Sequence, residues 1–590
     1  LRQHAGVTAA VLRALVQKGL LRSEVRRVLA EHPETSPLGD AGLRTPFSLN
    51  EEQSDAVRIL SGLADAGEAR AALLFGVTGS GKTCVILSMI DRMLDAGRGV
   101  IMMLPEIALT PQMLAIFRAR YGYRVAVIHS GLSGGERMDA YRRIRAGEAP
   151  VVVGTRSAVF APVPHLGMIV MDEEQEPTYC SENPPRYHTR DVAQFRCAQS
   201  GALLLLGSAT PTVETMYYAR EGRYQVFPLY RRYNEKALPK VLIADLRDEL
   251  RAGNETAVSE PLRSALEENL ARGEQSILFL NRRGSSRMLL CGECGEVPEC
   301  PRCSVPMTYH SANRRLMCHY CGHSEPAYDR CPQCGGIMKH IGTGTQKVEE
   351  ELHALFPGAK VLRMDTDTVG ASHGHEKLLR QFEEEKIPIL LGTQMVAKGL
   401  DFENVTLVGV LCADASLYID NYRAPERTFS LLSQVVGRAG RGSKQGRAII
   451  QTFTPENEVI RAAAAQDYDA FYESEIRMRR LRRYPPFADL FSFTVTGADE
   501  SRVIRAAKAL RDALGYAVER REELKPLSIE VLGPAGASVV KVNNRYRYRV
   551  FLVGKGCPAL RRLVAEYLYA FYQHKENRGL DIFADCNAIQ

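Results

Sequence analysis

From about residue 47 to 230, short apolar runs alternate with stretches whose apolar residues recur at helical spacing. The runs occupy 71–75, 100–104, 125–128, 151–153, 168–171 and 203–206. Runs that are apolar throughout, rather than alternating, predict parallel strands buried on both faces by helices. A second series begins at 276–280 and breaks off for a cysteine-rich block. It resumes at 361–362, 389–391, 405–408 and 448–450. This pattern predicts a second α/β unit carrying an insertion. Pro485-Pro486 marks a boundary, after which strand, helix, strand, strand, helix spells a small α+β domain.

The N-terminal stretch places Val7, Val11, Leu12, Leu15 and Val16 at helical spacing, closes with Lys18-Gly19, and continues as Leu20-Leu21. That fits the last helix and wing of a winged helix, and equally a plain amphipathic helix. The expected division is a winged-helix remnant over 1–35, a Pro/Gly-rich linker over 36–46 and a first lobe over 47–230. A second lobe follows over 231–288 and 339–475, interrupted by the insertion at 289–338, and a C-terminal domain over 476–590. At 590 residues the chain is too long for one core, so several domains are required. The formal charge of +7 permits nucleic-acid binding without demanding it, so local clusters must decide. No apolar run approaches the length of a membrane span and no signal peptide is visible, so a cytoplasmic protein with no membrane partner is expected. The first residue is Leu rather than Met, so a piece of a longer protein is expected.

Gly76-Val77-Thr78-Gly79-Ser80-Gly81-Lys82-Thr83 fits G-x-x-x-x-G-K-[ST] between an apolar run and a helical pattern. In that setting the backbone N–H groups of 76–81 close around phosphate oxygens. Lys82 reaches the β/γ-phosphates of ATP, and Thr83 holds Mg²⁺. Asp172-Glu173-Glu174-Gln175 closes the run 168–171. There Asp172 would bind Mg²⁺ through water and Glu173 would polarise the attacking water. Gln434-Val-Val-Gly437-Arg438-Ala439-Gly440-Arg441 puts two arginines three apart, read as a helical turn. Arg438 and Arg441 are candidates for an arginine finger reaching across a cleft to the γ-phosphate.

The cysteine block reads Cys291-x2-Cys294, Cys300-x2-Cys303, Cys318-x2-Cys321 and Cys331-x2-Cys334. Eight thiolates suffice for two tetrahedral zinc sites, so two Zn²⁺ are expected. Disulfides rarely use such closely spaced pairs; iron–sulfur clusters are the remaining alternative. Spacing alone does not fix which knuckles pair. His310, His319 and His323 are surplus to the ligand count. The block is expected to fold only with metal.

Two basic stretches suit phosphates. Arg477–Tyr484 carries five arginines. In 541–549 arginines alternate with tyrosines, predicting a strand with one basic and one apolar face; a solvated helix and an ordinary half-buried strand are the plain alternatives.

With Gly392-Thr393-Gln394 through Lys398-Gly399-Leu400-Asp401-Phe402 preceding the arginine motif, the blocks resemble superfamily 2 helicases. Their combination is similar to the primosomal protein N′ (PriA) family of replication-restart helicases, over roughly residues 1–580. Gln53 then resembles the adenine-reading glutamine, 104–112 and 129–133 resemble DNA-side motifs, and 186–191 resembles the family's aromatic-rich loop. The resemblance implies two RecA-like lobes with ATP between them, and a nested pairing of the first knuckle with the fourth and the second with the third. It also implies a monomeric ATP-dependent 3′→5′ helicase acting on branched forks and single-stranded DNA. Single-stranded-DNA-binding protein and other primosome proteins are the implied partners. A fork-binding scaffold with little unwinding is the rival expectation. Gln175 stands where the family has histidine, the family's first domain is not in this chain, and the ending 581–586 differs from the family's.

Overall fold

The computed structural model describes residues 9–22, 48–77, 79–106, 111–231, 239–280, 288–311, 313–341, 344–365, 374–393, 402, 404–440 and 444–587. The linker 36–46, Thr78, 107–110, 394–401 and Arg441 lie outside the described residues.

Lobe 1 is a seven-stranded parallel sheet. Its strands are β1 Arg70–Gly76, β2 Gly99–Met103, β3 Val125–Ile128, β4 Val151–Gly154, β5 Leu166–Asp172, β6 Leu203–Ser208 and β7 Gln225–Leu229, in the order β3-β4-β2-β5-β6-β1-β7. Every residue of β2, β4 and β6 is buried, as runs covered on both faces must be.

Lobe 2 combines β8 Lys240–Asp245 and β9 Gln275–Phe279 with strands from beyond the insertion. The insertion holds β10 Met288–Cys291, β11 Thr308–His310, β12 Arg315–Met317, β13 Ser324–Pro326 and β14 Met338–Ile341. Then come β15 Val361–Met364, β16 Ile389–Gly392, β17 Val405–Val410 and β18 Arg447–Thr452. The lobe 2 sheet runs β15-β16-β9-β17-β18-β8, all parallel. β10 and β14 pair antiparallel and close the insertion at its base.

The tail forms an antiparallel sheet of β19 Asp489–Gly497, β20 Glu530–Val542, β21 Arg545–Gly554 and β22 Asp581–Cys586, in the order β20-β21-β19-β22. The final strand β22 is additional to the sequence expectation. At the N-terminus the helix Ala9–Gln17 stops at Gly19, whose φ of 69° lets Leu20 N–H reach the Leu15 carbonyl. Among the described residues, no helix is long and apolar enough to cross a membrane.

The lobes share one hydrophobic core; Phe75 of lobe 1 packs on Tyr468, ring centroids 5.3 Å apart. A buried ion network reinforces the join. Arg479 donates to Glu475 at 2.8 Å and Glu426 at 3.0 Å, and pairs with Glu214 of lobe 1 at 3.2 Å. Arg423 donates to Glu214 and Glu426, both at 2.9 Å. Burial alone would raise the Glu214 carboxyl, but Arg423 and Arg479 hold it down to about 2. Removing one partner from such a network costs about 3–5 kcal/mol. One sequence expectation is corrected here. Arg479, in the basic stretch 477–484, is 1% exposed and cannot contact a nucleic-acid phosphate. Its charge is used between the lobes.

Candidate active site and metal centres

The loop after β1 leads into the helix Lys82–Asp95 at the carboxyl edge of the sheet, where open α/β folds bind ligands. A side chain at Gly76 would meet Ser80 Oγ at 2.5 Å and Leu229 Cβ at 2.9 Å, so the turn closes only on glycine. Gly81 caps the helix in the left-handed region, φ 81°. Lys82 Nζ donates to the Gly76 carbonyl at 2.7 Å and to that of Val77 at 3.4 Å, lying back over its own loop. Gln53 is fully buried: its Nε2 donates to the Ser80 carbonyl at 2.9 Å and its Oε1 accepts from Asn50 N–H at 3.0 Å. It buttresses the loop and keeps at most one amide hydrogen for a base. These are the requirements of a phosphate cradle: closely approaching backbone, a helix N-terminus and a cation.

Asp172 ends β5, two strands from β1. Desolvation, then the neighbouring Glu173, push its carboxyl up to about 6, and Lys82 opposes them. Glu173 sits at φ 47°, a strained left-handed conformation for a side-chain-bearing residue. Its Oε2 accepts from Gln175 Nε2 at 2.6 Å and from Gln434 Nε2 of lobe 2 at 3.5 Å. Gln175 Oε1 in turn accepts from Ser208 Oγ at 2.6 Å, at the end of β6. Neither the strain nor this relay leaves a mark in the sequence.

Across the cleft, the helix Ala424–Val436 ends at Gly437, and Arg438 lies in the turn that follows rather than on a continuing helix. Arg438 is half-buried; burial lowers its guanidinium's pKa and the Glu173 carboxylate opposes that shift. Thr210 and Ser430 hydroxyls meet at 2.8 Å between the lobes, and Tyr468 OH donates to the Pro211 carbonyl at 2.9 Å. Lys82, Asp172 and Glu173 of lobe 1 thus face Gln434 and Arg438 of lobe 2.

The eight clustered cysteines form two groups of four, Cys291, Cys294, Cys331 and Cys334, and, nested within, Cys300, Cys303, Cys318 and Cys321. Sulfur pairs across the knuckles stand 3.5 Å (Cys291–Cys334), 3.7 Å (Cys294–Cys331) and 3.6 Å (Cys300–Cys321) apart. Four sulfurs about 2.3 Å from a central zinc lie about 3.8 Å from one another, whereas a disulfide needs about 2.05 Å. The donor set fits zinc. Each knuckle closes by a bond from the residue four positions on, at Gly295, Ser304, Gly322 and Gly335, all with positive φ. His319 Nδ1 bonds the Gly536 carbonyl at 2.7 Å, and its Nε2 stands 3.3 Å from His310 Nε2, so neither ring joins a thiol cluster.

Comparison with known proteins agrees with this geometry. Family models match at 50–217 (DEAD/DEAH box helicase), 341–443 (helicase conserved C-terminal domain), 300–326 (PriA DNA helicase Cys-rich region domain) and 480–587 (primosomal protein N C-terminal domain). A replication restart protein PriA of Bacillus subtilis is 43% identical over 98% of this chain and 71% of its own length. Those of Synechocystis and Treponema pallidum are 42% and 39% identical, over 81% and 90% of this chain and 58% and 79% of their own lengths. With two RecA-like lobes, paired thiol clusters and matched relatives along nearly its whole length, the chain belongs to the PriA family of replication restart helicases.

Proposed function

We propose that this chain is an ATP-driven 3′→5′ DNA motor that recognises stalled or abandoned forks, unwinds them and promotes primosome assembly. The observation that carries this reading is the closed cleft, in which Glu173 lies against Gln434 and within the field of Arg438. ATP is the substrate. Lys82 and the N–H groups of 76–81 hold its phosphates, Glu173 orients the attacking water, and Arg438 or Arg441 meets charge developing on the γ-phosphate. Thr83 and Asp172 would hold Mg²⁺, which would supply charge neutralisation at the nucleotide's phosphates. Single-stranded-DNA-binding protein and other primosome proteins are the proposed partners, the working unit is a monomer, and the domain limits are those read from the sequence. The deciding experiment is strand displacement on a forked duplex with and without ATP. Displacement that needs ATP supports the motor; none under either condition overturns it.

One observation favours a second reading, a fork-binding scaffold with damped hydrolysis. The Gln175 amide holds the Glu173 carboxylate at 2.6 Å, where the attacking water must be oriented. On the motor reading, Gln175 tethers Glu173 to Ser208, and a flexible amide does so loosely. Gln175→His should then raise the base pairs unwound per ATP with little change in ATP affinity. Equal yields in parent and variant would show that glutamine already couples fully. A parent without DNA-stimulated hydrolysis, rescued by the same change, favours the scaffold.

The two thiol clusters are proposed to bind one Zn²⁺ each. Metal analysis of purified protein should return two zinc ions per chain, and Cys300→Ser should lose the inner one while nucleotide binding survives. One zinc in the parent, or iron, would refute this assignment.

A further inference from the structure

The parallel ladder of β2 and β5 ends at Met103 beside Met171, whereas β5 and β6 run on to Asp172 beside Gly207. Past Met103, Leu104 N–H donates at 2.9 Å to the Gly154 carbonyl of β4, on the side of β2 away from β5. The Met103 and Asp172 carbonyls are thus brought together at the carboxyl edge, where the two strands part. A buried carbonyl needs a donor. The chain supplies one from further along. After Asp172 it turns through Glu173, whose carbonyl accepts from Glu176 N–H at 2.9 Å, and enters the short helical turn Pro177–Tyr179. Tyr179 is 1% exposed, and its hydroxyl donates to the Asp172 carbonyl at 2.8 Å and to the Met103 carbonyl at 2.9 Å.

A phenol has one hydrogen, so the two carbonyls share it, and the hydroxyl must stay protonated to serve either. Burial, then the Asp172 charge, raise its pKa well above the ordinary tyrosine value, so it remains a donor. Its grip extends through one peptide plane. The C=O and N–H of a trans peptide point opposite ways, so a pinned Asp172 carbonyl also aims the Glu173 N–H. That N–H donates to Asp172 Oδ1 at 3.1 Å. On the other side of Glu173, Glu174 N–H donates to the Gly207 carbonyl at 3.1 Å. Between these two anchors Glu173 sits at φ 47°. A strained conformation persists only where its surroundings leave no other. A buried tyrosine hydroxyl bonded to a carbonyl is ordinary in itself. Tyr121, in the core on the other face of the same sheet, donates to the Leu87 carbonyl at 3.2 Å. Tyr179 differs in the carbonyl it holds.

We propose that Tyr179 is a positioning residue for ATP hydrolysis: its hydroxyl clamps the Asp172 carbonyl, and so fixes the 172–173 peptide in the arrangement that sets the Glu173 carboxylate against Gln434 of lobe 2. This rests on the reading above, in which Asp172 holds Mg²⁺ and Glu173 orients the attacking water. Without the hydroxyl the peptide can rotate, Glu173 can relax to negative φ, and its carboxylate leaves the place where it meets the opposite lobe. On that reading the loop 76–83, not this turn, grips the nucleotide's phosphates. A misplaced Glu173 therefore costs turnover and spares nucleotide binding.

The test uses the full chain, phosphate release from ATP in the presence of oligo-dT, and thermal melting. Tyr179→Phe removes one oxygen and keeps the ring in its core. It should lower kcat roughly tenfold with the KM for ATP nearly unchanged. Tyr121→Phe also strips a carbonyl of its donor in lobe 1. It should lower the melting midpoint by a similar amount and leave kcat at the parent level. Because Tyr179 acts through Glu173, adding Tyr179→Phe to Glu173→Gln should cost little further rate in single-turnover measurements. Parent-level kcat in Tyr179→Phe, an equal loss in Tyr121→Phe, or the full loss repeated on top of Glu173→Gln would overturn the role. Glu173→Gln separates the two readings. Parent-level turnover in that variant overturns the assignment of the acids and this inference together; loss there with an unaffected Tyr179→Phe overturns the tyrosine's role alone.

Discussion

Lys82→Ala is expected to abolish ATP hydrolysis while leaving single-stranded DNA affinity nearly unchanged. Its Nζ lies 2.7 Å from the Gly76 carbonyl, over the loop itself, half-buried at the start of the helix. A preorganised cation in such a site needs no reorganisation when charge moves, so its loss costs roughly 10³-fold or more in rate. The basic residues of β21 lie in the C-terminal domain and are untouched by the change. Steady-state phosphate release and oligo-dT anisotropy, measured side by side, separate the two effects. Parent-level turnover in the variant would sink the nucleotide-site assignment. A parallel loss of DNA affinity would show that the loop and the DNA surface are one structural unit.

The parts of this molecule that the sequence exposes are those set by local rules. Strands such as Val151–Gly154 and Leu203–Ser208 are buried on both faces, so each is a bare apolar run that can be little else at that length. The phosphate loop is legible because its glycines answer a local backbone demand. The knuckles are legible because a metal imposes a fixed short spacing. The alternation holds within 545–549, where Tyr546 and Tyr548 pack toward the helices and the arginines share the opposite face, but 541–549 is not one strand: Asn543-Asn544, both with positive φ, turn the hairpin between β20 and β21.

What was hidden depends on partners far away in the chain. Gln225–Leu229 is a sheet edge with mixed burial and contains a proline, so it makes no clean run. Arg479 looked like one more cation in a phosphate-binding row. It is buried because Glu214 of lobe 1 and Glu426 of lobe 2 meet it, and no local pattern marks that meeting. Arg186 of lobe 1 donates to Asp585 of β22 at 3.1 Å from 399 positions away in the chain. Asp581–Cys586 is a short edge strand that, among the described residues, pairs with β19 alone, so it carries too little pattern to be read alone. The arginine motif was read as helix through Arg441, but Gly437 ends the helix and turns Arg438 toward Glu173.

That turn sharpens the second large expectation. Arg438→Ala should lower turnover by roughly 10³-fold with little change in ATP affinity. The guanidinium is half-buried, and the Glu173 carboxylate is the group that opposes its desolvation. On the proposed reading it acts beside the group that orients the attacking water, and it comes from the opposite lobe. A group reaching the site across the cleft contributes most when the cleft is closed, so its loss falls on kcat rather than on binding. Arg438→Lys keeps a charge but loses the planar fork, and should recover only part of the rate. Fluorescent nucleotide titration beside phosphate release distinguishes the cases. A rise in ATP Kd with unchanged kcat would make Arg438 a ground-state contact. Because Arg441 is the other candidate, its alanine variant belongs in the same series. Loss of turnover in one variant alone identifies the finger, and parent-level turnover in both removes the role from this motif.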